Sequence, residues 1–337
     1  MVLPQGDLDF TNSSSLAVGA QASDHTIEGR SFGRIAWNTL KQDRVAMAGG
    51  CGVIFVILVA IFAGPITHMF GYSYRATFPD SVDQVNGTYM PLGRFGGISV
   101  THLLGVTPGG SNFDIFSQLV YGARTSIIIS VLATLLSLVF GVTLGLVAGY
   151  FRGFGDTVIS RIMDLLLSFP VLLFSIALLS VFAYVSNFAG LSGEPLRYAV
   201  IIFVLGFFGF PYIGRIVRGQ VLSLREKEFV DAARSLGASN TRILAKEILP
   251  NLVGPILVYT TLTIPNYILG EAGLSYLGVG VLPPTVSWGG MLSRAGNFLR
   301  VDPTYLFIPG IAIFLTVLAF NLFGDGLRDA LDPKSMR

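Results

Sequence analysis

Six runs of about twenty apolar residues are spread along the chain, and they determine its predicted fold. They cover residues 46–67, 126–150, 162–185, 198–217, 252–272 and 305–324. A helix needs about 20 apolar residues to cross a hydrocarbon core about 30 Å thick. We therefore predict an all-α membrane protein with six transmembrane helices.

The lysine and arginine residues predict which side of the membrane each connection occupies, because short loops rich in them are retained in the cytoplasm. With six spans, sixteen of the 22 fall on the side of the two termini: Arg30, Arg34, Lys41, Arg44, Arg152, Arg161, Arg215, Arg218, Arg225, Lys227, Arg234, Arg242, Lys246, Arg328, Lys334 and Arg337. The others are Arg75, Arg94, Arg124, Arg197, Arg294 and Arg300. Both termini are therefore predicted to be cytoplasmic.

The spans divide the chain into five parts. These are a polar cytoplasmic tail at 1–34, an N-terminal transmembrane helix within 35–67, an external segment at 68–124, a core at 125–330 and a short tail at 331–337. A cleaved signal peptide would place its apolar region nearer the start, so the first span is predicted to be retained. In the external segment, a Gly- and Pro-rich stretch at 107–111 and a short amphipathic piece at 116–121 predict an external cap.

The cytoplasmic loop at 225–251, within the core, is the most charged part of the chain. Two short helices are predicted at 228–236 and 240–249, separated by Gly237, which can end the first one, with Ser239 as N-cap of the second. One face of the first helix carries Phe229, Ala232, Ala233 and Leu236. This pattern fits a solvated connector packed on its own spans, and it fits equally a docking surface for a partner.

The loop resembles the EAA loop of bacterial and archaeal ABC import permeases, which that family uses as a coupling helix docked in a cleft of the ATPase subunit. The likeness rests on EFVDAARSLG at 228–237 and ILPN at 248–251. Asp231 stands where the family more often has Glu. The resemblance implies an ATPase-coupling role for Glu228, Phe229, Asp231, Ala232, Ala233, Leu236, Gly237, Leu249 and Pro250.

Other stretches resemble the second permease of the dipeptide, oligopeptide and nickel importers, the DppC and OppC type. They are HLLG at 102–105, DIFSQLVYGAR at 114–124, GLSYLGVGVLPP at 273–284 and NLFGDGLRDALDP at 321–333. The resemblance implies a MetI-like permease core preceded by one extra N-terminal helix, in the cytoplasmic membrane of a bacterium or archaeon.

The same resemblance implies the partners and the cargo. The partners would be a homologous second permease of the DppB or OppB type, two ATP-binding subunits of the DppD or DppF type, an extracytoplasmic substrate-binding protein and the lipid bilayer. Peptide is the expected cargo. Oligosaccharides, nickel chelates and glutathione-like compounds stay open, because residues 105–107 read Gly-Val-Thr where the group commonly has Gly-Thr-Asp.

The chain shows no sign of catalytic chemistry of its own. None of its lysines, Lys41, Lys227, Lys246 and Lys334, follows a glycine, so the phosphate-binding P-loop motif is missing. We therefore predict a non-catalytic subunit without a cofactor, with ATP and Mg²⁺ bound by the partner ATPase subunits. A net charge of +2 gives no reason to expect nucleic acid.

Cysteine and histidine predict no metal site. Cys51, the one cysteine, lies in an apolar run and is predicted to be a small packed residue. His25 lies in the polar tail and His68 and His102 lie in the external segment, so all three are predicted to be ordinary surface or loop residues.

Asp164 and Glu271 lie near predicted span ends and are the candidates for a pathway or gate, because ionisable residues in spans are costly. Arg161 favours an intrahelical ion pair with Asp164, and a substrate contact is the alternative. Glu271 precedes the point where the chain leaves the membrane. It is interpreted either as a loop-fixing carboxylate or as part of an outer gate.

The alternative function class is a secondary transporter that needs no ATPase. It would require carboxylates at the membrane midplane and paired broken helices in an inverted repeat. Prolines at 170, 211, 255, 265 and 309 lie inside or at the edges of spans, where they could bend helices or serve packing alone. Acidic residues at span ends and the distinctive loop favour the ATP-driven importer.

Overall fold

The computed structural model describes residues 32–69, 72–93, 95–182, 185 and 187–331. The predicted tails at 1–34 and 331–337 fall almost entirely outside this range, as does His25. The α-helices are α1 (Phe32–Gln42), α2 (Arg44–Ile61), α3 (Ala63–Met69), α4 (Ile115–Phe151), α5 (Gly153–Ser168), α6 (Val171–Phe182), α7 (Gly193–Leu224), α8 (Glu228–Ser235), α9 (Asn240–Arg242), α10 (Leu249–Tyr276), α11 (Trp288–Gly296) and α12 (Thr304–Leu331).

Three short elements complete the described secondary structure. A 3₁₀ turn covers Pro79–Ser81, and a π-helical segment, Ile243–Ile248, joins α9 to α10. Strands β1 (Asn187–Phe188) and β2 (Leu191–Ser192) form a two-stranded antiparallel hairpin.

Five helical runs in the described residues are long and apolar enough to cross a membrane. They are Arg44–Ile61, Ile115–Phe151, Gly193–Leu224, Asn240–Tyr276 and Thr304–Leu331, and the bent pair α5 and α6 makes a sixth span if it is counted as one. The predicted all-α membrane fold is confirmed.

The third predicted span, residues 162–185, is not one straight helix. Helices α5 and α6 meet at 82°, with the break between Ser168 and Val171. Phe169 adopts an extended conformation (φ −74°, ψ 136°). Pro170 is the cause, because a proline disfavours the helical conformation in the residue before it. Pro211, Pro255, Pro265 and Pro309 instead lie inside continuous helices.

The first predicted span is also interrupted, between α2 and α3 at Phe62. Pro65 lies three residues later. Because proline has no backbone N–H, it cannot donate a hydrogen bond to the carbonyl of Ile61. The regular α-helical pattern is therefore broken at this point.

Two predicted boundaries fall inside continuous helices. The amphipathic piece at 116–121 forms the first turns of α4, which begins at Ile115, so the division at 124/125 is no structural boundary. Asp114 caps this helix through Oδ2, which accepts the backbone N–H of Ser117 at 2.8 Å. The piece at 240–249 likewise continues through the π segment into α10. In both places polarity changes along the chain while the helix continues, although Pro250 lies in the first turn of α10.

Helices α4 and α7 form the most extensive helix–helix contact among the described residues, and part of it is made through glycines one turn apart. A Cβ added at Gly145 would lie 2.7 Å from the carbonyl oxygen of Gly214. One added at Gly149 would lie 2.7 Å from Cβ of Val221, and one at Gly141 would lie 2.9 Å from Cβ of Ile213. Small residues at four-residue spacing let two helix backbones approach closely within a membrane.

The helical bundle has two distinct ends. The loop end, as we call it, gathers the 225–251 segment, the end of α7, the start of α10 and the end of α12; Gln220, Gly254 and Arg328 line one cavity there. The far end carries α11, the starts of α4 and α7, and the segment before α4. Cys51 is exposed on α2 instead of packed as predicted, because it faces away from the α12 contact made by its neighbour Gly49.

Candidate functional site

Helix α8 ends in a glycine cap that fixes the turn of the charged loop. Gly237 has a φ of +78°, in the left-handed region where only glycine avoids a steric cost. Its N–H donates to the carbonyl of Arg234, and the N–H of Ala238 donates to the carbonyl of Ala233, both at 3.0 Å. These two bonds define a Schellman motif, so the predicted break at Gly237 is confirmed.

The second arm of the loop begins with the predicted cap. The hydroxyl of Ser239 accepts the backbone N–H of Arg242 at 3.4 Å. The chain then runs through Ile243–Ile248 into α10 without a break. The second arm of the loop and α10 therefore form one helical run of 37 residues. At 1.5 Å per residue this run is about 55 Å long.

The inner face of α8 anchors the loop in the bundle. Val230 and Ile243 are fully buried and pack in one cluster with Val217 and Val221 of α7. Ala233 is partly buried against the same cluster, so it lies on the inner side of α8 and apart from the other apolar residues of the predicted face. Val230 was not predicted as an anchor, although Val230 and Ala233 are three residues apart and therefore share a helix face.

Polar contacts add to this anchor. The guanidinium of Arg225 donates to the carbonyl of Tyr150 at 2.8 Å, and the hydroxyl of Tyr150 donates to Asn240 Oδ1 at 2.9 Å. Arg152 and Glu226 form an ion pair at 2.9 Å between the start of α5 and the loop. The loop is thus held from both α4 and α5.

The outer face of α8 carries apolar side chains that the described part of the chain leaves partly or largely exposed. Leu236 is 88% exposed and Phe229 is 38% exposed, and Ala232 is exposed between them. Glu228, Asp231 and Gly237 are exposed as well, as is Pro250 at the start of α10, whereas Leu249 is partly buried. Apolar side chains displayed on a fixed helix mark an interaction surface.

The main ion-pair partner of Asp164 lies on another helix and not on its own. Its Oδ1 accepts a hydrogen bond from Arg215 of α7, whereas Arg161 approaches its Oδ2 only to 4.0 Å. The predicted intrahelical pair is therefore the weaker of two contacts. All three side chains are about half exposed or more, so the cluster lies at the surface between α5 and α7.

Glu271 is completely buried, at 0% exposure, inside the far end of α10. Its carboxylate accepts hydrogen bonds from the hydroxyls of Ser126 at 2.7 Å and Ser275 at 2.6 Å, and the hydroxyl of Ser287 is a third partner. We call Ser126, Glu271, Ser275 and Ser287 the Glu271 cluster. It joins α4, α10 and the loop before α11.

The hydroxyls of the Glu271 cluster also accept backbone N–H groups. Ser126 Oγ accepts from Trp288 at 3.4 Å, Ser275 Oγ from Val281 at 2.9 Å and Ser287 Oγ from Gly290 at 3.1 Å. Each hydroxyl has a single proton. Since backbone donors occupy the acceptor side, each proton is free to point at the carboxylate. The geometry therefore supports the loop-fixing interpretation of Glu271.

A second buried cluster lies in the segment before α4. His102 lies in a loop, as predicted, but it is only 6% exposed and is therefore not an ordinary surface residue. Its Nδ1 lies 3.0 Å from Asp114 Oδ1 and its Nε2 lies 3.3 Å from Ser81 Oγ. The ring stacks on Tyr72 and meets Phe78 edge-on. Twelve residues separate His102 from Asp114, so sequence spacing gave no sign of this pair.

The described residues contain no group of three or more His, Cys, Asp or Glu side chains that could hold a metal ion. His68, which is exposed on α3, fits its predicted surface position.

Most of the chain matches models of known protein families. Residues 141–337 match the model of the binding-protein-dependent transport system inner membrane component, and residues 31–89 match the N-terminal TM domain of oligopeptide transport permease C. The first match covers more than half of the chain, including the charged loop and Glu271.

Curated proteins similar to this chain are named as permeases. It is 40% identical to the dipeptide transport system permease protein DppC of Alkalihalophilus pseudofirmus, over 89% of this chain and 90% of that protein. It is 37% identical to the glutathione transport system permease protein GsiD of Pectobacterium atrosepticum, over 88% and 90% respectively. Among solved structures, an inward-facing MetNI methionine ABC transporter chain matches at 20% identity and a TM-score of 0.49, covering 65% of this chain and 98% of that one.

Proposed function

This chain belongs to the family of binding-protein-dependent transport system inner membrane components, and we propose that it carries peptides through the cytoplasmic membrane under the control of separate ATPase subunits. It is a multi-pass permease subunit of the ABC importer class, of the dipeptide and glutathione type. The identity of the cargo and of the individual partners is the proposed part.

The observation that carries this proposal is the outer face of α8. Leu236 and Phe229 display apolar side chains on a helix whose other face is anchored by Val230. A helix fixed in this way is suited to insertion into a cleft of an ATPase, because little conformational freedom is lost on docking. The exposed charges of Glu228 and Asp231 lie beside the apolar stripe and would form the polar rim of the contact.

The route from the loop to the spans is continuous. Displacement of α8 would be passed through the Schellman turn at Gly237 to the π segment and then to α10. At its far end, α10 holds the Glu271 cluster. We propose that ATP-driven closure of two ATPase subunits moves the loop end, and that α10 transmits this movement to the far end.

The remaining partners and the orientation follow from the same proposal. A second, homologous permease would complete the pathway, and an extracytoplasmic binding protein would deliver the cargo to the far end. The loop end, with its many lysine and arginine residues, would face the cytoplasm together with both termini. A dipeptide or short oligopeptide is the proposed cargo, and glutathione, itself a modified tripeptide, is the second candidate because of the GsiD relatives.

The test compares two aspartates introduced one position apart on α8. Leu236→Asp places a charge in the apolar stripe, whereas Ser235→Asp places the same charge on an exposed position beside it. The complex is purified with its co-expressed subunits, reconstituted in lipid and assayed for peptide-stimulated ATP hydrolysis. We expect Leu236→Asp to weaken ATPase binding about tenfold or more and Ser235→Asp to leave it nearly unchanged.

Two results would contradict the proposal. If Leu236→Asp retains the ATPase subunits and normal coupling, α8 is not the docking element. If uptake follows an ion gradient without ATP and no ATPase co-purifies, the chain is a secondary transporter.

A further inference from the structure

A cavity of about 260 Å³ opens at the far end, between the starts of α4 and α7. Its lining consists of Tyr74, Tyr121, Arg124, Thr125, Ile128, Glu194, Tyr198, Thr285 and Val286. We propose that this cavity is a subsite for the carboxyl-terminal end of a peptide, with Arg124 as the anchor for the α-carboxylate. The inference rests on the proposed function and adds to it the group on the cargo that is recognised.

Arg124 supplies the charge for this role. It is exposed in the cavity, and none of the ion pairs among the described residues includes it. A guanidinium offers planar paired donors that match the two oxygens of a carboxylate. Arg75, the other arginine near the cavity, is already paired with Glu194 at 3.1 Å.

Aromatic walls surround the arginine. The rings of Tyr74 and Tyr121 pack with centroids 4.2 Å apart, and the hydroxyl of Tyr198 lies 3.5 Å from Thr125 Oγ1. Such walls can cover the apolar part of a peptide while their hydroxyls hydrogen-bond its backbone. Ligand pockets commonly measure about 300 to 1,000 Å³. A cavity of 260 Å³ therefore fits one end of a peptide and not a whole oligopeptide.

The lining favours a peptide end over a lipid headgroup. Tyrosine and arginine are also common where spans meet the membrane surface. A belt of that kind is not expected to include a carboxylate, whereas Glu194 lines this cavity together with Arg124. A peptide backbone supplies N–H groups to such a carboxylate, and one oxygen of Glu194 remains available to them because only Oε1 is bound by Arg75.

The cavity also adjoins the Glu271 cluster. Thr125 directly precedes Ser126, and Val286 directly precedes Ser287. Both serines are fully buried and belong to the cluster that holds α4, α10 and the loop before α11 together. A peptide end bound in the cavity would therefore contact the residues next to those that fix the far end of α10.

The test is a cycle of two peptides and two arginine variants. Uptake into proteoliposomes that contain the full complex and its binding protein is measured for trialanine and for its C-terminal amide. The same binding protein is used throughout, so its own preference cancels in the comparison. Arg124→Gln is the test variant, and Arg300→Gln, an exposed far-end arginine outside the cavity, is the matched control.

We expect Arg124→Gln to reduce the preference for the free acid over the amide about tenfold in the specificity constant, because a charge-assisted hydrogen bond is lost only with the acid. Arg124→Lys should keep part of the preference, and Arg300→Gln should keep all of it. Equal loss for both peptides, or an unchanged preference, would overturn the subsite.

Changing the lipid composition tests whether Arg124 contacts a lipid headgroup instead of a peptide. If the Arg124→Gln defect appears only in liposomes with phosphatidylglycerol and the acid preference is unchanged, Arg124 contacts a headgroup and the subsite is wrong. If the wild-type complex transports neither peptide, the proposed function itself fails and the subsite with it. A wild-type complex that transports both, with a preference independent of Arg124, rejects the subsite alone.

Discussion

The two ends of the bundle differ in whether their key side chains are covered by the chain itself. At the far end, the carboxylate of Glu271 is fully buried and its partners are supplied by the chain itself. At the loop end, α8 buries Val230 but leaves Leu236 88% exposed. A buried carboxylate whose oxygens have hydroxyl partners favours one defined arrangement of the groups around it. An exposed apolar stripe instead requires another surface for burial, so the loop end is the part of the fold that a partner would complete.

The strongest way to break this comparison is to remove the acceptor at the far end. Glu271→Gln places an amide N–H₂ among hydroxyls that need an acceptor for their protons. We expect a loss of about 3 kcal/mol in the free energy of unfolding, because buried donors are left without partners. The thermal unfolding midpoint of the purified complex measures the effect.

Asp325→Asn, which alters an exposed acid on α12, is the control and should leave that midpoint almost unchanged. A Glu271→Gln complex as stable as the wild type would mean that the cluster does not fix the far end.

The second prediction concerns the segment before α4. His102→Ala removes the side chain between Asp114 and Ser81, while Asp114 Oδ2 can still cap α4. We expect a local loss of about 2 kcal/mol, confined to the segment at 77–114. Hydrogen exchange should show faster exchange there and unchanged exchange in the 225–251 loop. A uniform change over the whole chain would contradict a local role.

The third prediction moves to the loop end. Gly237→Ala introduces a side chain at a φ of +78°, where nothing lies within 4 Å of the added Cβ. The cost therefore comes from the backbone alone, about 1 to 2 kcal/mol. ATP hydrolysis should become less dependent on peptide, because the turn between α8 and the π segment is weakened. Gly219→Ala, in open space on α7 without a positive φ, is the control, and equal effects of both variants would refute this explanation.

The smallest effect is expected at Asp164. The ion pair with Arg215 is half exposed, and pairs of this kind contribute less than about 1 kcal/mol. Asp164→Asn should lower stability slightly, and Arg161→Gln should do less. The exchange Asp164→Arg with Arg215→Asp should restore the wild-type unfolding midpoint. If transport is lost in Asp164→Asn and not restored by the exchange, Asp164 contacts the cargo.

The sequence was sufficient where local rules decide the structure. Apolar length predicted the spans, and Gly237 with Ser239 predicted the turn of the loop and its cap. It failed where partners are distant in the chain. Ser126 is 145 residues from Glu271, so no local pattern could place its hydroxyl beside that carboxylate, whereas Ser275 lies only four residues on, along the same helix.

Other failures have a geometric reason. Pro170 was one of five prolines predicted either to bend helices or to serve packing alone, and no local rule predicted the angle of 82° at this break. The side of α8 on which Ala233 lies stayed open, because a short helix with apolar residues on two sides offers two possible inner faces. Val230, which is β-branched and fully buried, selects between them in the structure.

The glycine contacts between α4 and α7 limit how the permease can change shape. Packed helices usually slide past each other by small adjustments of side chains, which is called shear. At Gly141, Gly145 and Gly149 the glycines provide no side chain for such an adjustment, and the backbone of α7 lies directly against them. We expect these two helices to move as one rigid body, so that rotation is concentrated at the joint between α5 and α6, which would act as a hinge.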